Sequence, residues 1–133
     1  MERDSGTIRV LIIDDMERYR TSLQWLLKQE GFEAESAGSG EEALGLLAKI
    51  PFDVVLLDLR MPGMGGMDAL PRIKSLAPTA QVIILTGHAS VDFAAETIKL
   101  GAADFLVKPC PVKDLIGTIR KVHDLSLLSR SSR

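Results

Sequence analysis

The chain has 133 residues, 46% of them hydrophobic, and a net charge of −2, which fits one ordinary domain large enough to bury a real core. Nothing in that charge drives binding to nucleic acid or an anionic membrane, and the single cysteine, Cys110, excludes an internal disulfide framework. No apolar stretch reaches the length of a membrane span, and the polar start Met1-Glu2-Arg3-Asp4-Ser5-Gly6 lacks the core of a signal peptide, so a cytoplasmic location is the expectation.

In chain order, Ile8 to Ile13 reads as a buried parallel strand that ends on Asp14 and Asp15. Met16, Tyr19, Leu23, Leu26 and Leu27 then recur at helical spacing, with Gly31 as a left-handed stop. Phe32 to Ala37 alternates apolar and charged residues and reads as a short edge strand. A helix over Ser39 to Ile50 carries Ala43, Leu46, Leu47 and Ile50 on one stripe and is closed by Pro51. The run Val54-Val55-Leu56-Leu57 ends on Asp58, followed by a loop rich in Gly and Met. A short helix is expected around Met67 to Leu76 with Pro71 in its first turn. Val82 to Leu85 ends on Thr86. Ser90 is then placed to cap a helix whose apolar stripe is Val91, Ala94, Ala95 and Ile98, with Gly101 as its stop. Phe105-Leu106-Val107 ends on Lys108-Pro109, and a last helix from about Val112 carries Leu115, Ile119, Val122 and Leu125.

Five strands alternating with five helices predict a doubly wound α/β sandwich on a parallel sheet. A single domain is expected over residues 7–125, with 126–133, rich in Ser and Arg, as a frayed tail or the start of a linker. Each apolar strand hands over to a polar residue at its C-terminal end, where open parallel sheets bind ligands. One site would then hold three carboxylates, a hydroxyl and an ammonium. Burying like charges together is costly unless a cation joins them, so the set points to a divalent metal and a phosphoryl group.

The ordered set Asp14-Asp15, Asp58, Thr86 and Lys108-Pro109, with Asp58-Leu59-Arg60-Met61-Pro62-Gly63-Met64 and the run Gly101 to Pro109, resembles the receiver domain of two-component response regulators. The likeness extends from about Ile8 to Leu125. It implies a CheY-like, flavodoxin-like fold with strand order 2-1-3-4-5, and a switch phosphorylated on Asp58 by a sensor histidine kinase or phosphotransfer protein. It further implies Mg²⁺ held by Asp15 and Asp58, by Asp14 directly or through water, and by the backbone carbonyl of Arg60. Lys108 and Thr86 would serve the phosphoryl group, Pro109 would follow a cis bond that aims Lys108 inward, and Thr86 with Phe105 would relay the change. Partner binding or a phosphorylation-dependent homodimer is expected on the face made by the fourth helix, fifth strand and fifth helix. No turnover enzyme, no direct nucleic-acid binding and no membrane contact are implied. The residues after the last helix are too few for a DNA-binding module, so the chain reads either as a stand-alone receiver or as part of a longer regulator.

Two other readings share some of this chemistry. Gly38-Ser39-Gly40-Glu41-Glu42-Ala43 passes the relaxed dinucleotide-binding pattern. However, Glu41 and Glu42 would repel a pyrophosphate at that helix N-terminus, and the preceding strand is a polar edge. A haloacid dehalogenase-type phosphohydrolase would also use an aspartyl phosphate, but it favours an Asp-x-Asp pattern, whereas Asp58 precedes Leu59-Arg60. Cys110 reads as a small buried residue, His88 and His123 as surface residues, Trp25 as partly exposed, and Met61, Met64 and Met67 as loop packing.

Overall fold

The computed structural model describes residues 7–88 and 90–131. The strands are β1 (Arg9–Ile13), β2 (Glu33–Ala37), β3 (Val54–Leu57), β4 (Gln81–Thr86) and β5 (Asp104–Val107). They alternate with α1 (Glu17–Gln29), α2 (Gly40–Leu47), α3 (Gly66–Leu76), α4 (Val91–Lys99) and α5 (Val112–Ser131). All neighbouring strands pair in parallel, in the order β2-β1-β3-β4-β5.

The sheet is covered on both faces, which is why β1 and β3 are almost wholly apolar. Leu11, Ile13, Val55, Leu57, Val82 and Ile84 pack with Ala43, Leu47, Ala69, Leu70 and Ile73 of α2 and α3. On the other face Val10, Ile12, Val54, Leu56, Ile83 and Leu85 pack with Leu23 and Leu27 of α1 and Leu115, Ile119 and Val122 of α5. Gly31 and Gly101 adopt φ of +95° and +109°, the left-handed stops expected after α1 and α4. Ser39 caps α2 by accepting from the Glu42 amide, and Ser90 caps α4 by accepting from the Phe93 amide.

Several helices differ from expectation. In α1, Met16 is the exposed N-cap rather than part of the buried stripe. Helix α2 stops at Leu47, three residues early. The next turn tightens, with the Lys49 amide on the Leu46 carbonyl three residues back, because Pro51 bars the helical region to Ile50. Helix α3 begins at Gly66, so Pro71 lies in its second turn rather than its first, where its missing N–H leaves the Met67 carbonyl without a helical donor.

In α4 the expected stripe is turned outward. Val91 is 86% and Ile98 49% exposed, while Phe93 and Leu100 pack on the core and Thr97 is fully buried. Two apolar stripes compete on this helix. Thr97 can take the inner one because its hydroxyl donates to the Ala94 carbonyl at 3.0 Å. Past Ser126, where a frayed tail or the start of a linker is expected, the chain stays helical. Helix α5 runs on to Ser131, with no Gly or Pro after Gly117 to break it, and Ser126 accepts from the Gln81 side chain at 3.3 Å.

Candidate functional site

The parallel ladder delivers the polar residues to one end of the sheet. Past β1, the Asp14 amide donates to the Ala37 carbonyl. Past β3, the Asp58 amide donates to the Ile13 carbonyl, and past β5, the Lys108 amide donates to the Thr86 carbonyl. Each side chain is thus anchored by a sheet bond at its own residue and emerges at the carboxyl edge beside the crossover between β1 and β3, where the strand order reverses.

Asp58 is 6% and Asp14 2% exposed, and Thr86 is fully buried. Asp58 Oδ1 accepts from the Thr86 hydroxyl at 2.6 Å and from the Arg60 amide at 3.2 Å. The Lys108 ammonium lies 2.5 Å from Asp14 Oδ2 and 3.4 Å from Asp58 Oδ2. Asp14 Oδ1 accepts from the Met16 amide at 2.9 Å. Asp15 is exposed. One oxygen from each of Asp14, Asp15 and Asp58 falls within 4.8 Å of the others, beside an open depression lined by Asp15, Leu59, Arg60, Met61 and Pro62. Burial pulls the Lys108 pKa down, but the hydrogen bond and charge of Asp14, then Asp58 and Tyr19, outweigh it and hold the ammonium above its ordinary value. The chain's own cation therefore stands between two of the three carboxylates.

All five expected strand-end residues thus meet. Arg60 brings its backbone to Asp58, while its side chain is exposed. The Lys108–Pro109 bond is cis. Phe105 does not reach the acidic cluster; it is half-buried on the core between the sheet and α2–α4. The Thr86 hydroxyl already lies against Asp58 and also accepts from the His88 amide at 3.1 Å, so inward travel of Thr86 is not needed to bring the two together. His88 is exposed and its ring lies 4.9 Å from that of Phe93. Cys110 is half-buried rather than enclosed.

Three neighbours of the site were not legible as such. A Cβ on Gly66 would stand 2.4 Å from the Asp58 carbonyl oxygen and 2.6 Å from Leu59 Cα, so only glycine lets α3 approach the strand end this closely. Arg20 donates to the carbonyls of Asp14 at 3.2 Å and Asp15 at 3.5 Å, lying where a side chain on Gly38 would be. The Tyr19 ring stacks under Lys108, 4.2 Å from its ammonium, and burial foremost raises the phenol's pKa. The sequence marks these residues only as a loop glycine, a helix arginine and a core aromatic, because each acts through tertiary approach. The Gly38-Ser39-Gly40 segment closes the start of α2 after an edge strand: Ser39 accepts from the Glu42 amide while the Glu42 carboxylate accepts from the Gly38 amide at 2.8 Å. It therefore cradles no pyrophosphate.

A buried carboxylate with a hydroxyl, an ammonium and two more carboxylates around it has the parts for phosphoryl transfer: a nucleophile, an oxygen-rich metal site and donors for the incoming oxygens. The response regulator receiver domain model matches residues 10–120. The regulatory protein AtoC of Escherichia coli K12 is 36% identical over 94% of this chain, which spans only 27% of AtoC's length. A CheY-like receiver domain protein from Methanospirillum hungatei JF-1 superposes with a TM-score of 0.89 at 29% identity, covering 93% of this chain and 99% of that one. A Burkholderia pseudomallei response regulator, solved with a phosphorylated aspartic acid, calcium ion and citrate, gives a TM-score of 0.82 at 27% identity, over 92% of this chain and 72% of that one. With the strand order and the strand-end residues of the site, these likenesses show that the chain belongs to the response regulator receiver domain family, the phosphoacceptor modules of two-component signalling.

Proposed function

We propose that Asp58 takes a phosphoryl group from a histidine kinase or phosphotransfer protein and that this changes the α4-β5-α5 face. The observation that carries the reading is the Asp58 carboxylate, buried and held by the Thr86 hydroxyl at 2.6 Å with the Lys108 ammonium at 3.4 Å. Oδ1 carries two hydrogen bonds, so Oδ2 is the freer nucleophile. It attacks phosphorus, the donor's P–N bond breaks with its electron pair leaving on nitrogen, and an acyl phosphate forms. Lys108 then turns from Asp14 to the phosphoryl oxygens, and the Thr86 hydroxyl donates to one of them.

The all-oxygen donor set fits a hard divalent cation. Asp15, Asp58 and the Arg60 carbonyl would hold Mg²⁺ directly, and Asp14 through water, since both of its oxygens are engaged. Bound there, Mg²⁺ would offset charge on the transferring oxygens. The phosphorylated aspartate and calcium of the Burkholderia structure support this reading. The domain catalyses its own phosphorylation and dephosphorylation and turns over no separate substrate. Residues 7–125 form the receiver unit, and its last helix continues to Ser131. The outward Val91, Ile98 and Val107 favour the α4-β5 side as the contact face for a partner or a second copy.

Acetyl phosphate with Mg²⁺ is expected to add one phosphoryl group, read by intact mass, and Asp58→Asn to abolish it. A mass shift that survives in Asp58→Asn, or that forms in EDTA, overturns the assignment.

A further inference from the structure

Among the described residues the Lys108 ammonium has three neighbours: Asp14 Oδ2 at 2.5 Å, Asp58 Oδ2 at 3.4 Å and the face of the Tyr19 ring, its centre 4.2 Å away. The carboxylates pull it to one side and the ring closes the other. Tyr19 stands in the first turn of α1, immediately after the acidic loop. The ring is half-buried and packs on the core shared by α1, α5 and the sheet, which fixes its plane. Among the described residues its hydroxyl has no hydrogen-bond partner, so Tyr19 meets Lys108 through the π face.

A lysine is a hydrated point charge on a flexible four-carbon stem, and left alone at a sheet edge it would spend its time in water. An aromatic face attracts a cation without fixing its direction, and does so more strongly where water is excluded. Such a surface holds the charge in place while letting it slide. Phosphorylation needs that combination, since the ammonium must leave Asp14 for a phosphoryl oxygen without leaving the site.

We propose that Tyr19 is a positioning residue for phosphoryl transfer, its ring forming the third wall of a seat that keeps the Lys108 ammonium between Asp14 and Asp58. The inference rests on Asp58 being the phosphoacceptor. It is tested by the rate at which acetyl phosphate labels Asp58 at saturating Mg²⁺, together with the NMR shift of the Lys108 ε-methylene protons, which the ring current moves upfield. Tyr19→Leu is expected to slow labelling about fivefold, the loss an ordinary cation–π contact carries, and to return the methylene shift to its ordinary position. Tyr19→Phe keeps the face and is expected to restore both. Should Tyr19→Leu fail to fold, Tyr19→Met asks the same question. In a Lys108→Ala background the Tyr19 substitution should slow labelling no further; an equal slowing there means the ring acts on the fold and not on Lys108, and overturns the inference. So does a wild-type rate in Tyr19→Leu, or a Tyr19→Phe protein as slow as Tyr19→Leu. A wild-type protein that takes no phosphoryl group defeats the reading of Asp58 itself, whereas a labelled wild type with an indifferent Tyr19→Leu defeats only this inference.

Discussion

Gly66 has no room for a methyl group. Its missing Cβ would fall 2.4 Å from the Asp58 carbonyl oxygen, and what blocks it is backbone, which cannot swing aside as a flexible side chain would. Gly66→Ala is therefore expected to push α3 off the strand end at a cost of about 1–3 kcal/mol, the usual range for overpacking, and to slow phosphorylation because Asp58 shifts with its peptide. Urea denaturation checks the first effect and intact-mass kinetics the second; a variant as stable as the parent would show that the loop yields. The same residue marks what a sequence discloses. Asp14, Asp58, Thr86 and Lys108 were legible because apolar strands point to their own ends. That one glycine among Gly63, Gly65 and Gly66 touches the Asp58 backbone depends on where α3 docks, and nothing local to the chain encodes it. Tyr19 and Arg20 were hidden for the same reason, since a helix period records burial and not what lies above the buried atom.

At the scale of the elements, α4 gives the clearest contrast between pattern and packing. Its sequence offers Val91, Ala94, Ala95 and Ile98 as a core stripe, yet the sheet receives Phe93, Thr97 and Leu100 instead. Hydropathy undervalues Thr97, whose hydroxyl is satisfied by the turn before it. The strands and the ends of α1 and α4 were legible because buried β-runs and left-handed glycines are local signals; the rotation of α4 about its axis was not. Ile98→Asp is accordingly expected to change stability by no more than about 0.5 kcal/mol, as surface substitutions do, while Thr97→Asp, which buries an unpaired charge, should cost several times that. With α4 as the phosphorylation-dependent contact, Ile98→Asp should also leave labelling intact and abolish association, measured by sedimentation of the beryllofluoride-treated protein. A large loss of stability in Ile98→Asp would restore the original stripe.

Across the whole molecule, strict alternation of strands and helices is enough to specify two covered faces, and the register of parallel pairs then brings residues 94 positions apart, Asp14 and Lys108, into contact. That ion pair links stability to pH. The folded Lys108 keeps its proton above the ordinary lysine value of 10.5, so its contribution is complete below that pH and is lost as pH rises through the folded value. In EDTA, the stability gap between the parent and Lys108→Met should be constant from neutrality to about pH 10 and narrow above it, as read by urea melts across that range; a gap that widens in alkali would contradict the geometry. The close seating of Gly66 has a mechanical consequence too. On one side Asp58 is backed by α3, whose Ala69, Leu70 and Ile73 are wholly enclosed. On the other it is held by Thr86 at the end of β4, and the α4 that follows has Thr97 as its one fully enclosed residue. A load applied at Asp58 is thus expected to find a stiffer wall at α3 than at α4, and to displace α4 the more.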